Sequence, residues 1–260
     1  MPRVTSRHNP RLKEAAALVA SSRDRRKAGR CVLEGEHLIG VYLERIGAPE
    51  TLIVVEGRHA EPSIQALAAR IPPQDVLVVP EAVFCEVSTL PAAIGVMAVV
   101  ATPRMTPPAP GRFHLLLDDL QDPGNVGTML RTAAAAGVDQ VLLSKHCAFA
   151  WSPKVLRAGQ GAHFLTTIVE DVDLVSWAHA FRPQGRVVAT VAHEGVDLYR
   201  TRLSLPLAIA IGNEGAGLSP ALLGASDLRL TIPMPGGAES LNAASAAAVV
   251  LFESVRQQRC

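Results

Sequence analysis

Aromatic residues are scarce in this chain of 260 residues: phenylalanine, tryptophan and tyrosine together make up 4%. A platform on which successive bases of a single strand stack needs several of them, which argues against that mode of nucleic-acid binding. There are four cysteines, Cys31, Cys85, Cys147 and Cys260, and no two form a CxxC pair. A disulfide framework needs more of them and a zinc site needs them close together, so the thiols read as reduced and unpaired. The eight histidines show neither HxH nor HxxxH spacing, and no metal is expected. Long hydrophobic runs are missing as well. The longest apolar candidate, AASAAAVVLF at 243–252, is about half of the roughly 18–20 residues needed to cross a bilayer and reads as a buried helix. The first 22 residues are basic and contain serines, as a transit peptide does, but they continue into an amphipathic pattern. A cytoplasmic protein is expected.

With 48% apolar residues there is ample material for a core, in one large domain or two modest ones. Net charge is only +1, unevenly spread. Residues 1–30 hold nine arginines and lysines against Glu14 and Asp24, a net of +7. Such a cluster is an electrostatic footprint for phosphates; the competing reading is a solvated tail. The stretch TPRMTPPAPGR at 102–112 has four prolines and a glycine and reads as a linker, dividing the chain into residues 1–101 and 113–260.

In the first part, helical periodicity near Leu12–Val19 and Val32–Glu44 is followed by β-branched runs at 52–55, 76–79 and 96–100, suggesting a small α/β domain. The second part alternates more regularly. Apolar runs FHLLL (113–117), VDQVLLS (138–144), FLTTIV (164–169), RVVATVA (186–192), LPLAIAI (205–211) and LRLTIPM (228–234) read as strands buried on both faces of a parallel sheet. Helices are expected around Thr128–Ala136, Pro153–Ala162, Leu174–Phe181 and Pro220–Leu223, with Leu241–Arg256 closing the chain. Open parallel sheets bind ligands at the carboxyl ends of their strands. Three such ends are rich in glycine or small polar residues: DDLQDPGNVGT, GNEGAGLS and PMPGGAESLN.

None of the three fits a common nucleotide fingerprint. Gly124 and Gly127 are spaced GxxG, not GxGxxG, and no lysine follows Gly127 as in a phosphate loop. A nicotinamide-dependent dehydrogenase is thereby disfavoured. The bland reading of DPGNVGT is a tight strand-to-helix turn with Asn125 or Thr128 capping the helix, which leaves Arg131 unexplained. In IGNEGAGLS (211–219), three glycines let backbone approach a ligand closely, and Glu214 needs a partner if buried. In IPMPGGAESLNAASAAA (232–248), Ser240 is placed to cap the last helix, whereas Asn242, just inside it, is a poor helix former and needs another reason to be there.

Together these segments resemble the motifs of the SpoU (TrmH) family of S-adenosylmethionine-dependent RNA ribose 2'-O-methyltransferases, within the SPOUT superfamily. DPGNVGTMLRTAAAAGV (122–138) matches the first motif, IGNEGAGLS the second and IPMPGGAESLNAASAA the third; SPKVLRAGQGAHF (152–164) resembles a further family segment and contributes Lys154 and Arg157. NPRLKEA (9–15), VLEGEHLIG (32–40) and GVMAVV (95–100) are similar, more loosely, to a ribosomal-protein-like substrate-binding domain attached to ribosomal-RNA members.

The resemblance implies an α/β fold: a C-terminal parallel-sheet domain with a deep trefoil knot, plus a small N-terminal α/β domain that holds RNA. It implies S-adenosyl-L-methionine held by backbone around Gly212, Ile232 and Leu241, with Asn213, Gly217 and Met234, and glycine at 212 because a side chain there would block the ligand. Arg131 would be the catalytic residue. A guanidinium stays protonated to a pKa above about 12, so the preferred role is a clamp on the target phosphate that stabilises developing alkoxide charge. Asn125 would orient Arg131, Ser240 and Asn242 would position the ribose, and Glu214 would organise the pocket. Arg7, Arg11, Lys13, Lys154 and Arg157 would contact RNA phosphates. A homodimer acting on 23S ribosomal RNA is implied, the alternatives being transfer RNA or a non-catalytic RNA-binding factor of the same fold. The modified nucleotide, and whether the role is housekeeping or antibiotic resistance, are not written in the motifs.

Overall fold

The computed structural model describes residues 1–88, 94–103 and 111–259; most of the proline-rich segment expected to link the two parts, residues 104–110, lies outside them. The chain divides into two compact units, Met1–Arg104 with Trp151–Phe164, and Met105–Ala150 with Leu165–Cys260.

In the first unit, a four-stranded sheet runs in the order β1 (Arg30–Glu34), β4 (Val96–Ala101), β2 (Thr51–Val55), β3 (Val76–Val79). β4 is antiparallel to both neighbours, while β2 and β3 are parallel. Helix α1 (Pro10–Ala20) starts at Asn9, whose side chain accepts from Arg11 N, and Pro10 needs no donor there. Its apolar stripe, Leu12, Ala15, Leu18 and Val19, covers Val32, Ile53, Leu77, Met97 and Val99, which project from one sheet face. Helices α2 (Ser22–Ala28), α3 (Glu36–Arg45), α4 (Pro62–Ala68) and α5 (Glu81–Val87) complete this part. The helix expected over Val32–Glu44 starts only at Glu36, and Val32–Glu34 belong to β1. Cys31, Val32 and Leu33 are fully buried and pair with β4, and Gly35, at φ +99°, breaks the chain before α3.

Residues 151–164 leave the methyltransferase-like half of the sequence for this unit. Helix α7 (Pro153–Gly159) buries Val155 and Leu156 and packs on β1. Phe164 meets Tyr42 edge to face at 5.3 Å. Gly161 sits where a Cβ would lie 3.1 Å from Val41. The strand expected from Phe164 is therefore shorter: Ala162–Phe164 is a 3₁₀ turn, and β7 spans only Thr167–Val169.

The second unit holds seven parallel strands in the order β7, β6 (Gln140–Leu143), β5 (Phe113–Leu117), β10 (Leu207–Ile211), β8 (Arg186–Thr190), β11 (Leu228–Thr231) and β9 (Val196–Asp197). β5, β6 and β10 are buried at every residue, as their unbroken apolar runs require. One face is covered by α8 (Leu174–Phe181) and α9 (Pro220–Ala225), which pack on Leu116, Val187, Ala189, Ala208 and Ala210. Helices α6 (Pro123–Ala136) and α10 (Ala243–Gln258) pack against each other, and α10 also contacts β10. Among the described residues no helix is long and apolar enough to cross a membrane.

Candidate active site

Three loops meet at the carboxyl ends of adjacent strands β10, β8 and β11, around a cleft of about 220 Å³. The loop after β10 is tied to itself. Asn213 and Gly217 exchange both backbone hydrogen bonds at 2.9 Å, with Gly217 at φ +72°. Asn213 Oδ1 accepts from the N–H groups of Gly215 (2.9 Å) and Ala216 (3.0 Å), and its Nδ2 donates to the Asp119 carbonyl at 2.8 Å. A Cβ on Gly212 would lie 2.2 Å from Gly217 C and Leu218 N. Glycine at 212 is thus required by the loop's own backbone, whatever a ligand adds to that demand.

All six residues expected around a cofactor line this cleft: Gly212, Asn213, Gly217, Ile232, Met234 and Leu241. Glu214 and Ser240 line it too. Thr190, at the end of β8, also lines the cleft, and its Oγ1 is buried with no hydrogen-bond partner among the described residues. Apolar walls, a crowded glycine backbone and an unused hydroxyl suit a ligand with an apolar ring and polar edges, as S-adenosylmethionine has.

The polar rim joins the three motif segments. Asn125 Nδ2 donates to Glu214 Oε1 at 2.9 Å, and Asn242 Nδ2 donates to Asn125 Oδ1 at 3.0 Å. Several helix-terminus expectations change as a result. Helix α6 begins at Pro123, not Thr128. Its cap is Asp122, which accepts from Asn125 N at 2.7 Å, so Gly124, Asn125 and Gly127 lie within the helix rather than in a turn. The last helix is capped by Asn242 rather than Ser240: Asn242 Oδ1 accepts from Ala244 N (2.9 Å) and Ser245 N (3.3 Å). Ser240 is exposed. Glu214 is exposed as well, so its partner organises it rather than offsetting a burial cost.

Arg131 is exposed on α6 and has no side-chain partner among the described residues. It does not line the cleft. Six residues separate it from Asn125, about 9 Å along the axis and about 240° around it. Asn125 therefore faces away from it and orients Glu214 and Asn242, not Arg131.

The structure also shows supports that carried no signal in the sequence. Asp118, buried at the end of β5, accepts from Ser219 N at 2.9 Å. Asp119, at φ +56°, is held by Ser144 Oγ, which accepts from its N–H at 2.9 Å. Cys147 Sγ accepts from Leu120 N (3.4 Å) and donates to the Leu117 carbonyl (3.2 Å); burial pushes this thiol's pKa up, keeping it protonated. These contacts fix the chain entering α6 against the loop leaving β10.

In the first unit the basic footprint is partly internal. Arg11 donates to the Gln74 carbonyl (2.8 Å) and to Asp75 (2.5 Å), so it is a structural tie rather than a free phosphate contact. Arg25 is buried against the Leu18 and Val19 carbonyls, and Arg30 is paired with Glu14 and Glu50. Arg7 lies 3.9 Å from Glu86 with both groups well exposed. Lys13, Lys154 and Arg157 are exposed.

Residues 112–252 match the model of the SpoU rRNA methylase family, and residues 9–98 that of the MRM3-like substrate binding domain. The chain belongs to the SpoU rRNA methylase family. It is 33% identical over 253 residues to the Bacillus subtilis 23S rRNA (guanosine(2553)-2'-O)-methyltransferase RlmP, covering 97% of this chain and 98% of that one. Among solved structures, the SpoU methyltransferase AviRb of Streptomyces viridochromogenes, in complex with AdoMet, superposes with a TM-score of 0.86 at 30% identity, covering 97% and 99% of the two chains. A family structure described by 2-OH methylation of C/U34 on tRNA matches at a TM-score of 0.52 and 32% identity, covering 56% of this chain and 96% of that one.

Proposed function

We propose that this protein is an S-adenosylmethionine-dependent methyltransferase that places a methyl group on a ribose 2'-hydroxyl of 23S ribosomal RNA. The observation that carries the reading is the hydrogen-bonded line Asn242–Asn125–Glu214, which joins all three motif segments at the rim of the cleft. Relatives matched over nearly the whole chain include 23S ribosomal-RNA enzymes, whereas the matches named only for transfer RNA cover 56% of the chain. That difference favours a ribosomal substrate. Residues 1–101, joined by 151–164, hold RNA and the rest of 113–260 carries out the transfer, in a cytoplasmic homodimer. The exposed Phe252 on α10 supports a helix face that a second copy covers. A trefoil knot fits the path from β10 through the braced 212–219 loop and β11 to α10, which returns against α6.

S-adenosylmethionine supplies an electrophilic methyl group on a sulfonium. The chain's own residues must bind it, align the ribose and manage the hydroxyl proton. Gly212, Ile232 and Leu241 present backbone to the ligand, and Met234 and Ala246 close the apolar wall. Glu214, fixed by Asn125, and Ser240 offer oxygen acceptors at the rim, where the hydroxyl arrives. Alignment by such groups lowers barriers by up to about 7–11 kcal/mol. Arg131, exposed on α6 outside the cleft lining and without a side-chain partner among the described residues, is a charged donor suited to holding the phosphate beside the target ribose.

Replacing Arg131 with alanine tests this reading. Turnover on a 23S rRNA transcript, followed by transfer of labelled methyl, should fall by about 10²–10³, while S-adenosylmethionine affinity measured by calorimetry stays at the wild-type level. Turnover near wild type in that variant would remove Arg131 from the mechanism.

A further inference from the structure

The first unit carries a second cleft, of about 340 Å³, at the turn from β1 into α3, which the catalytic reading leaves unused. Aliphatic Leu38 and Ile94 and the bare backbone of Gly35 form its apolar part. The two carboxylates on its wall are already engaged. Glu34 accepts from Ser88 Oγ at 2.7 Å, and Glu36 from Arg58 at 2.9 Å. Arg58 is further held by Glu61 and by the Ile94 carbonyl. A ligand is left with the side chains of Arg157 and His37, both exposed and without a side-chain partner among the described residues, and with Gln160. Gln160 Nε2 donates to the Arg157 carbonyl at 2.7 Å, which leaves Oε1 as the amide's acceptor. Gln160 also sits at φ +48°, a left-handed position that glycine or asparagine would occupy at lower cost. That conformation ends α7, with Gln160 N donating to the Leu156 carbonyl at 3.1 Å, and sets the amide in the cleft lining.

Two glutamates against two arginines leave the wall with no net charge. A phosphate gains little there and meets two carboxylates. A neutral planar group fits better, with donors and acceptors along its edge and a face for a guanidinium to stack on. We propose that this cleft takes one unpaired nucleobase of the RNA substrate, with Arg157 on its face and Gln160 and His37 reading its edge. The inference rests on the RNA-methyltransferase reading and adds to it a base-recognition subsite outside the transfer site.

The test uses the full chain and an in-vitro 23S rRNA transcript, with binding measured by filter retention over a range of salt. Gln160→Ala and Arg157→Ala should each weaken binding roughly tenfold. Because a base contact releases no counterion, neither should change the slope of log affinity against log salt. Irradiation of the wild-type complex should attach a nucleotide to a peptide containing residues 34–38 or 157–160. Circular dichroism and the thermal melt of the full chain report that each variant, which lies in the first unit, is folded. An Arg157→Ala effect consisting of a slope reduced by about one, with Gln160→Ala silent, would mean a phosphate contact and overturn the proposal. Wild-type affinity in both variants would overturn it too, with the methyltransferase reading intact. If wild type neither bound nor methylated the transcript, both readings would fall.

Discussion

Gly212→Ala isolates the geometry of the cofactor loop. The new Cβ would stand 2.2 Å from Gly217 C and Leu218 N and 2.5 Å from Gly217 O. Comfortable contact begins near about 3.5 Å, so the overlap exceeds about 1 Å. Every obstructing atom is backbone, and no rotamer change relieves the clash. The chain at 217–218 must move, which breaks the paired Asn213–Gly217 hydrogen bonds. Two bonds at about 1 kcal/mol each, with about 1–3 kcal/mol for overpacking, set the observed loop conformation about 3–5 kcal/mol uphill. A ligand that needs that conformation should bind at least about a hundredfold more weakly. Gly217→Ala is the matched control. It has open space around the Cβ and suffers only from φ +72°. A left-handed alanine costs about 1–2 kcal/mol, a loss of roughly tenfold. Calorimetric titration of S-adenosylmethionine into both variants, with circular dichroism to confirm folding, makes the comparison. Gly212→Ala binding as tightly as Gly217→Ala would refute the view that backbone crowding shapes this site.

Asn242 separates capping from site chemistry. Asn242→Asp keeps the oxygen that caps α10 but loses the amide that donates to Asn125, so thermal stability should hold while methyl transfer falls. Asn242→Ala loses both and should also cost about 1 kcal/mol of stability in a denaturant titration. If the aspartate variant keeps wild-type turnover, the Asn242–Asn125 contact has no role in the reaction. Acid stability should depend on Glu253. Hydrogen bonds from Arg256 and Gln257 hold its pKa down at about 2 against an ordinary value of 4.5. A carboxylate whose folded pKa is depressed contributes stability above its unfolded value and loses it as pH falls through the folded one. Melting temperature should therefore drop between about pH 4.5 and pH 2, and Glu253→Gln should flatten part of that slope. The acid limb should be unchanged by Glu253→Gln only if the three side chains do not interact in solution.

The parallel sheet was legible because burial on both faces leaves an uninterrupted apolar run, as in FHLLL and LAIAI. The N-terminal strand β1 was not. RCVLE followed by an amphipathic helix keeps an apolar rhythm through Gly35, and only the φ of +99° at that glycine shows where strand gives way to helix. Nor was the placement of residues 151–164, since which surface an apolar helix covers is a tertiary matter that its own periodicity does not encode. The basic residues show the same limit. Net charge over residues 1–30 is visible in composition, but it does not reveal that Arg11, Arg25 and Arg30 are held by carbonyls and carboxylates of their own domain.

The site was legible in residue type and misread in residue duty, for a reason that Asn242 makes plain. Asp122 and Asn125, or Ser240 and Asn242, are equally good helix caps by propensity. Only coordinates show which oxygen meets the N–H groups. Where Asp122 caps α6, Asn125 is released for the rim, and its amide spans Glu214 on one side and Asn242 on the other. Asn242 then has to accept from the α10 backbone with one end and donate to Asn125 with the other. Serine is too short to do both from this position and aspartate has no proton to donate. An asparagine that looks misplaced at the head of an alanine-rich helix is thus the side chain whose two ends match the two demands.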